Sequence, residues 1–89
     1  MSQTIVNSTE LRRFARFLVE IANEIHGKKS STTQKLDDLQ KDWRDARFHE
    51  FEPVYANATQ EIDRFVKVAL AYAKYLDEKA RRVDRYLSR

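Results

Sequence analysis

Eighty-nine residues with one Gly, one Pro and no Cys make a single domain without disulfides or thiolate metal sites. A charged fraction of 35% beside 42% apolar residues suits exposed helices that each carry one apolar stripe. The net charge of +3 is too mild for a dedicated nucleic-acid binder, and no apolar run approaches the roughly 20 residues that span a bilayer.

The opening residues Met1-Ser2-Gln3-Thr4 lack the basic and apolar regions of a signal peptide. The expectation is therefore a cytoplasmic chain, with any export by a leaderless route. The sequons Asn7-Ser8-Thr9 and Asn57-Ala58-Thr59 carry no weight without such a signal.

Val6-Asn7-Ser8-Thr9-Glu10-Leu11 reads as a helix start. Asn7 can cap the first amides, Glu10 can reach back to complete a capping box, and Val6 with Leu11 fits a hydrophobic staple. Leu11, Phe14, Leu18, Ile21 and Ile25 then follow in 3-4-3-4 steps, the spacing of a helix-packing seam, and Ala15, Phe17 and Ala22 broaden the stripe. The polar stretch His26–Thr33 leaves two readings. Gly27 could end this helix and Ser31 with Gln34 could start another. The favoured reading is one helix over residues 8–42, because Ile25, Lys29, Thr32, Leu36, Leu39 and Trp43 keep the step through the gap. A single helical Gly costs only about 1 kcal/mol relative to Ala. That arm would be roughly 50 Å long.

The period breaks at Trp43, the only Trp. The series Leu36, Leu39, Trp43, Ala46 predicts apolar residues near positions 50 and 53, where the chain has Glu50 and Pro53. A new register starts at Phe48 and continues through Phe51, Tyr55, Ala58, Ile62, Phe65, Ala69, Tyr72 and Leu76. Lys79 interrupts it, Ala80 partly fills the gap, and Val83 and Tyr86 resume it. Such a phase change indicates an elbow over residues 43–46, formed around Trp43, Arg44 and Asp45, with the second arm over 47–87. Asp45 is the expected N-cap, and Arg44 and Arg47 should be solvated. The plainer alternative places Trp43 on one continuous helix. Pro53 either kinks the second helix or is its first residue; the kink is preferred, because Phe48, Phe51 and Tyr55 stay in phase across it.

The residues offer little chemistry. The residues three before His26 and His49 are Asn23 and Ala46, so neither histidine completes the Glu-x-x-His pair of di-metal bundles, and no metal or cofactor is expected. Gly27 stands alone and makes no phosphate loop, and Ser30 and Ser31 lack a base, so an enzyme is not expected. Phe14, Phe17, Phe65, Tyr72 and Tyr75 could line a pocket, but aromatics at helical spacing are foremost core. Lys79, Arg81, Arg82, Arg85 and Arg89 gather at the end of the second arm, diluted by Asp77, Glu78 and Asp84. They suit a helix C-terminus and a solvated face first, and contact with nucleic acid or anionic lipid second.

Leu36-x-x-Leu39-x-x-x-Trp43-x-Asp45, followed by Phe48 and Phe51, resembles the signature of the WxG, or ESAT-like, superfamily of small helical-hairpin proteins. Length, the central Trp and the flanking pattern extend the resemblance over nearly the whole chain. Trp43-Arg44-Asp45-Ala46-Arg47 is similar to the WxD-variant homodimer type seen in Helicobacter, with Asp45 where the family usually has Gly. The resemblance implies docking through helix faces and the turn, a role in type VII or other specialised secretion, and Trp43 filling the end of the bundle beside a partner's terminal helix. The chain departs from the family's Tyr-x-x-x-Asp/Glu export signal: Tyr72 is followed four residues on by Leu76 and Tyr75 by Lys79.

The expected architecture is all-α: an antiparallel helical hairpin that dimerises into a four-helix bundle. Two arms cannot bury a large core alone, and without Cys the remaining solution is association. Packing is assigned to Leu11, Phe14, Leu18, Ile21, Ile25, Leu36, Leu39, Phe48, Phe51, Tyr55, Ile62, Phe65, Ala69, Tyr72, Leu76 and Val83. A homodimer is the first expectation. A heterodimer with a related small helical protein, and secretion machinery or an effector as a further partner, are the others.

Overall fold

A computed structural model describes residues 7–88. Val6 and Arg89, assigned above to the staple and the basic tail, lie outside the described residues. Two helices, α1 (Ser8–Asp42) and α2 (Ala46–Leu87), pack antiparallel as a hairpin. No helix is long and apolar enough among the described residues to cross a membrane.

Helix α1 starts where Asn7 Oδ1 accepts the amides of Thr9 and Glu10, at 2.8 and 3.3 Å. The reciprocal half of the capping box is not formed. The Glu10 carboxylate pairs with Arg13 instead, one turn along the same face. The helix continues unbroken through Gly27, where an added Cβ would meet no atom within 4 Å. Gly27 therefore lies on open surface and costs only propensity. Helix α2 also runs unbroken through Pro53. At about 1.5 Å per residue its length comes to about 63 Å. The molecule's long axis is 66 Å, close to that length. Pro53 is exposed and sits in the second turn, where the carbonyl it orphans can be hydrated.

The seam departs from the expected one by half a column. On α1 the seam residues are Leu11, Ala15, Leu18, Ala22, Ile25, Lys29, Thr33, Leu36 and Gln40, with Ser8, Arg12 and Ile21 half-buried beside them. On α2 they are Phe48, Glu52, Tyr55, Thr59, Ile62, Val66, Ala69, Ala73, Leu76, Ala80 and Val83, an uninterrupted 4-3 alternation. One column of each helix is as expected: Leu11, Leu18, Ile25 and Leu36 on α1, and Phe48, Tyr55, Ile62, Ala69, Leu76 and Val83 on α2. The second column is not. Ala15 and Ala22 are inside where Phe14 and Ile21 were expected, and Val66 and Ala73 where Phe65 and Tyr72 were expected, while Ala80 fills the gap at Lys79 as anticipated. Five of the seven buried side chains among the described residues are alanines, with Phe48 and Leu76 the others. Alanine lets two backbones approach, and each helix presents to the other the column that permits the closest contact.

The core is correspondingly thin. Ala15, Ala73 and Leu76 form its centre, with Leu11 and Leu18 packed against them. Toward the elbow the second column turns polar: Lys29, Thr33 and Gln40 on α1, and Glu52 and Thr59 on α2. There Tyr55 bridges the helices, its hydroxyl 2.7 Å from Thr33 Oγ1 and 3.4 Å from the Lys29 carbonyl.

Candidate interaction surface

The elbow is three residues long. Trp43 ends α1 in extended backbone and donates its amide to the Leu39 carbonyl at 2.9 Å. Asp45, also extended, caps α2 through Oδ1, which accepts the Phe48 amide at 2.9 Å. Its other oxygen accepts the Trp43 indole N–H at 3.0 Å. Asp45 thus joins both halves of the motif, a task Gly could not perform. Arg44 lies over the Phe48 ring, 5.9 Å from its centre. Within this chain Trp43 does not plug the helix pair: it is 61% exposed. Phe48 is the buried aromatic at that end, because it occupies the seam position of the first turn of α2.

The Phe48 amide foremost, and the Trp43 indole after it, hold the Asp45 carboxyl below its usual 3.8. At the open end, the Ser8 hydroxyl and then the Arg12 guanidinium, 2.6 Å away, do the same for Asp84. A lowered folded-state pKa means that the ionised form favours the fold. That contribution is complete above the unfolded value and is lost as pH falls through the lower folded one. The Trp43 indole N–H resonance should therefore shift in acid with a midpoint below the usual 3.8 of an Asp carboxyl. Asp45→Asn keeps a capping oxygen for Phe48 but has no carboxyl to protonate, so this acid transition should vanish; its persistence would mean that another group governs the indole.

The residues excluded from the seam make a second stripe. On α2, Phe51, Val54, Ala58, Phe65, Val68, Tyr72 and Tyr75 continue one 3-4 series, broken by Glu61. On α1, Phe14, Phe17 and Ile21 occupy the corresponding place, with Leu39 further along. Each of these columns sits one residue before the inner seam column, and in an antiparallel pair such columns fall on the same flank. The opposite flank carries the interhelical ion pairs Arg12–Asp84, at 2.6 Å, and Lys29–Asp63, at 2.5 Å. Arg12, Asp63 and Asp84 each follow a seam residue by one, which fixes that sidedness.

The apolar flank is open. Phe14 is 48% exposed, Phe65 44% and Tyr72 50%. Phe14 stacks on Phe17 and Tyr72 leans on Tyr75, with ring centres 6.2 and 5.6 Å apart. Within the single hairpin these aromatics lie outside the seam, on its open flank. A groove of about 410 Å³ lies at the waist, lined by Glu24, Ile25, Lys28, Lys29, Thr32, Tyr55 and Ile62. The remaining assignments divide cleanly. Leu11, Leu18, Ile21, Ile25, Leu36, Tyr55, Ile62 and Val83 are half-buried, Phe48, Ala69 and Leu76 are buried, and Leu39 and Phe51 are exposed with the outer stripe. In the tail, Lys79 is half-buried beside the seam, whereas Arg81, Arg82 and Arg85 are exposed.

The chain matches no family model, and no curated protein or solved structure matches it either.

Proposed function

We propose that this chain is a non-catalytic interaction protein that works as a pair of hairpins closed along their apolar flanks. The observation that carries this reading is the outer stripe, whose exposed Phe14, Phe17, Phe65, Val68, Tyr72 and Tyr75 are too apolar for a solvated face. Surface area supports it. The chain exposes 7414 Å², against about 5,500 Å² expected for a compact monomer of this mass. The excess, about 1,900 Å² per chain, is of the size that obligate dimers bury. The Cα radius of gyration, 19.9 Å, likewise exceeds the roughly 12 Å of a compact domain.

A homodimer is favoured over a heterodimer because one chain supplies the stripe on both arms, and a two-fold contact needs only one self-complementary patch. In the four-helix bundle this forms, the exposed Trp43 ring gains cover from the partner, in keeping with the WxG resemblance. That resemblance extends the reading to a secretion-associated factor, adaptor or chaperone, with secretion machinery or an effector as its client. The test is light scattering coupled to gel filtration. The expected result is twice the chain mass at micromolar concentration; a monomer there would defeat the homodimer, and a complex formed only with a co-expressed small helical protein would replace it with the heterodimer. Trp43→Ala tests the turn. At concentrations where the chain is dissociated its effect should stay at about 1 kcal/mol, the size of the one exposed hydrogen bond it makes to Asp45. The associated form should lose stability well beyond that, and equal effects in both states would place the ring outside the contact.

A further inference from the structure

The outer face of α2, turned away from both the seam and the apolar flank, carries a basic ridge. Residues 64, 67, 71, 74, 78, 81 and 85 follow one another in alternating 3- and 4-residue steps and form one column pair. They are Arg64, Lys67, Ala71, Lys74, Glu78, Arg81 and Arg85, all exposed. Among the described residues none of these five cations is in an ion pair. The nearby acids differ: Asp63 turns to Lys29 and Asp84 to Arg12 across the seam, which leaves Glu78 on the ridge and Asp77 beside it. From 64 to 85 the chain has seven Lys/Arg against three Asp/Glu, a balance of +4 that exceeds the +3 of the whole protein. The ridge is redrawn relative to the sequence-based cluster. Lys79 belongs beside the seam and Arg82 toward the apolar flank, whereas Arg64, Lys67 and Lys74 extend the row by about four turns.

We propose that this ridge seats the protein on an anionic lipid surface. The argument is one of shape and charge together. From Arg64 to Arg85 the row is about 32 Å long, and this part of α2 is one uninterrupted helical stretch without proline. A straight row of cations meets a plane along its whole length. It meets a duplex, whose phosphates wind about an axis, at only a few points. The row ends at Tyr86 and Leu87, 76% and 70% exposed, an aromatic and an aliphatic group of the kind a headgroup layer accommodates. Because the ridge faces away from the apolar flank, it stays accessible whether the protein is single or paired, and the inference does not depend on the oligomer.

The test is flotation of the intact protein with vesicles of phosphatidylcholine alone, or with about one-third phosphatidylserine, at about 50 mM salt. Binding is expected only to the anionic vesicles and should be lost near 0.5 M salt. Each ridge cation removed should lower partitioning about five-fold, so Lys67→Gln/Lys74→Gln/Arg81→Gln should lower it about a hundred-fold. Lys35→Gln/Lys41→Gln/Arg47→Gln reaches the same net charge from the elbow half and should change it only a few-fold. Circular dichroism on both triple variants confirms that the helices remain. Absence of flotation, or equal loss with the two variants, overturns the proposal. So does tighter, ridge-dependent binding to a duplex oligonucleotide, which would make the ridge a nucleic-acid surface.

Discussion

Phe65→Glu should abolish self-association. Phe65 lies in the middle of the apolar flank, half-covered within its own chain and outside the seam. A carboxylate there meets water in the single hairpin at little cost. In the paired form it would replace an aromatic ring with a charge inside the apolar contact. Loss of an aromatic anchor and burial of an unpaired charge together cost several kcal/mol. The dissociation constant should rise by about a thousand-fold or more. The wild-type melting temperature should climb with protein concentration, as mass action requires, and that of the variant should not. Leu70→Glu provides the contrast. It is exposed on the opposite flank and should leave association intact. A dimer that survives Phe65→Glu, or one equally sensitive at Leu70, would place the contact elsewhere.

Ala73→Leu should have the largest effect on the hairpin itself. Ala73 is 3% exposed at the centre of the core beside Ala15 and Leu76. Three added carbons have no void to enter, so the helices must separate, and every seam contact nearby weakens with them. Overpacking typically costs about 1–3 kcal/mol, a large share of the stability that so thin a core can supply. Ala22→Leu, at 0% exposure, should behave alike. Ala71→Leu, two residues away on the solvent face, should be close to neutral. Chemical denaturation of the three variants at one concentration reads the difference. If Ala73→Leu melts with the wild type, the helices are not as close as their alanines indicate.

The same alanines explain what the sequence disclosed and what it concealed. The hairpin, the two arms and the break at Trp43 follow from periodicity, and the antiparallel helix pair has that form. Which half of each wide stripe faces inward does not follow. Leu11, Leu18 and Ile25 belong equally to a series with Phe14 and Ile21 and to one with Ala15 and Ala22. Hydrophobicity ranks the first higher, so the aromatics were expected inside. Backbone approach decides for the second, and it depends on two helices at once, which a single-chain pattern does not encode. The clue was present in Ala15, Ala22, Ala73 and Ala80, which recur at seven-residue spacing within each helix. The Trp43–Asp45 hydrogen bond was likewise beyond the pattern, because it depends on the extended backbone at both residues. The basic ridge was only half visible, since charge was noticed where it clusters in sequence and not where it aligns in space.

The polar column near the elbow has a consequence for how the chain reaches this form. Lys29, Thr33 and Gln40 face Glu52, Tyr55 and Thr59 where a hairpin would ordinarily begin to zip, next to its turn. The contacts that reward closure, among Ala15, Ala73 and Leu76, join segments nearly sixty residues apart. A nucleus built on those contacts would have to close the longest loop, and the entropy of that closure must be met before the best packing is gained. A protein that is almost all helix should thus fold more slowly than its helix content suggests, with the turn among the last parts to become rigid.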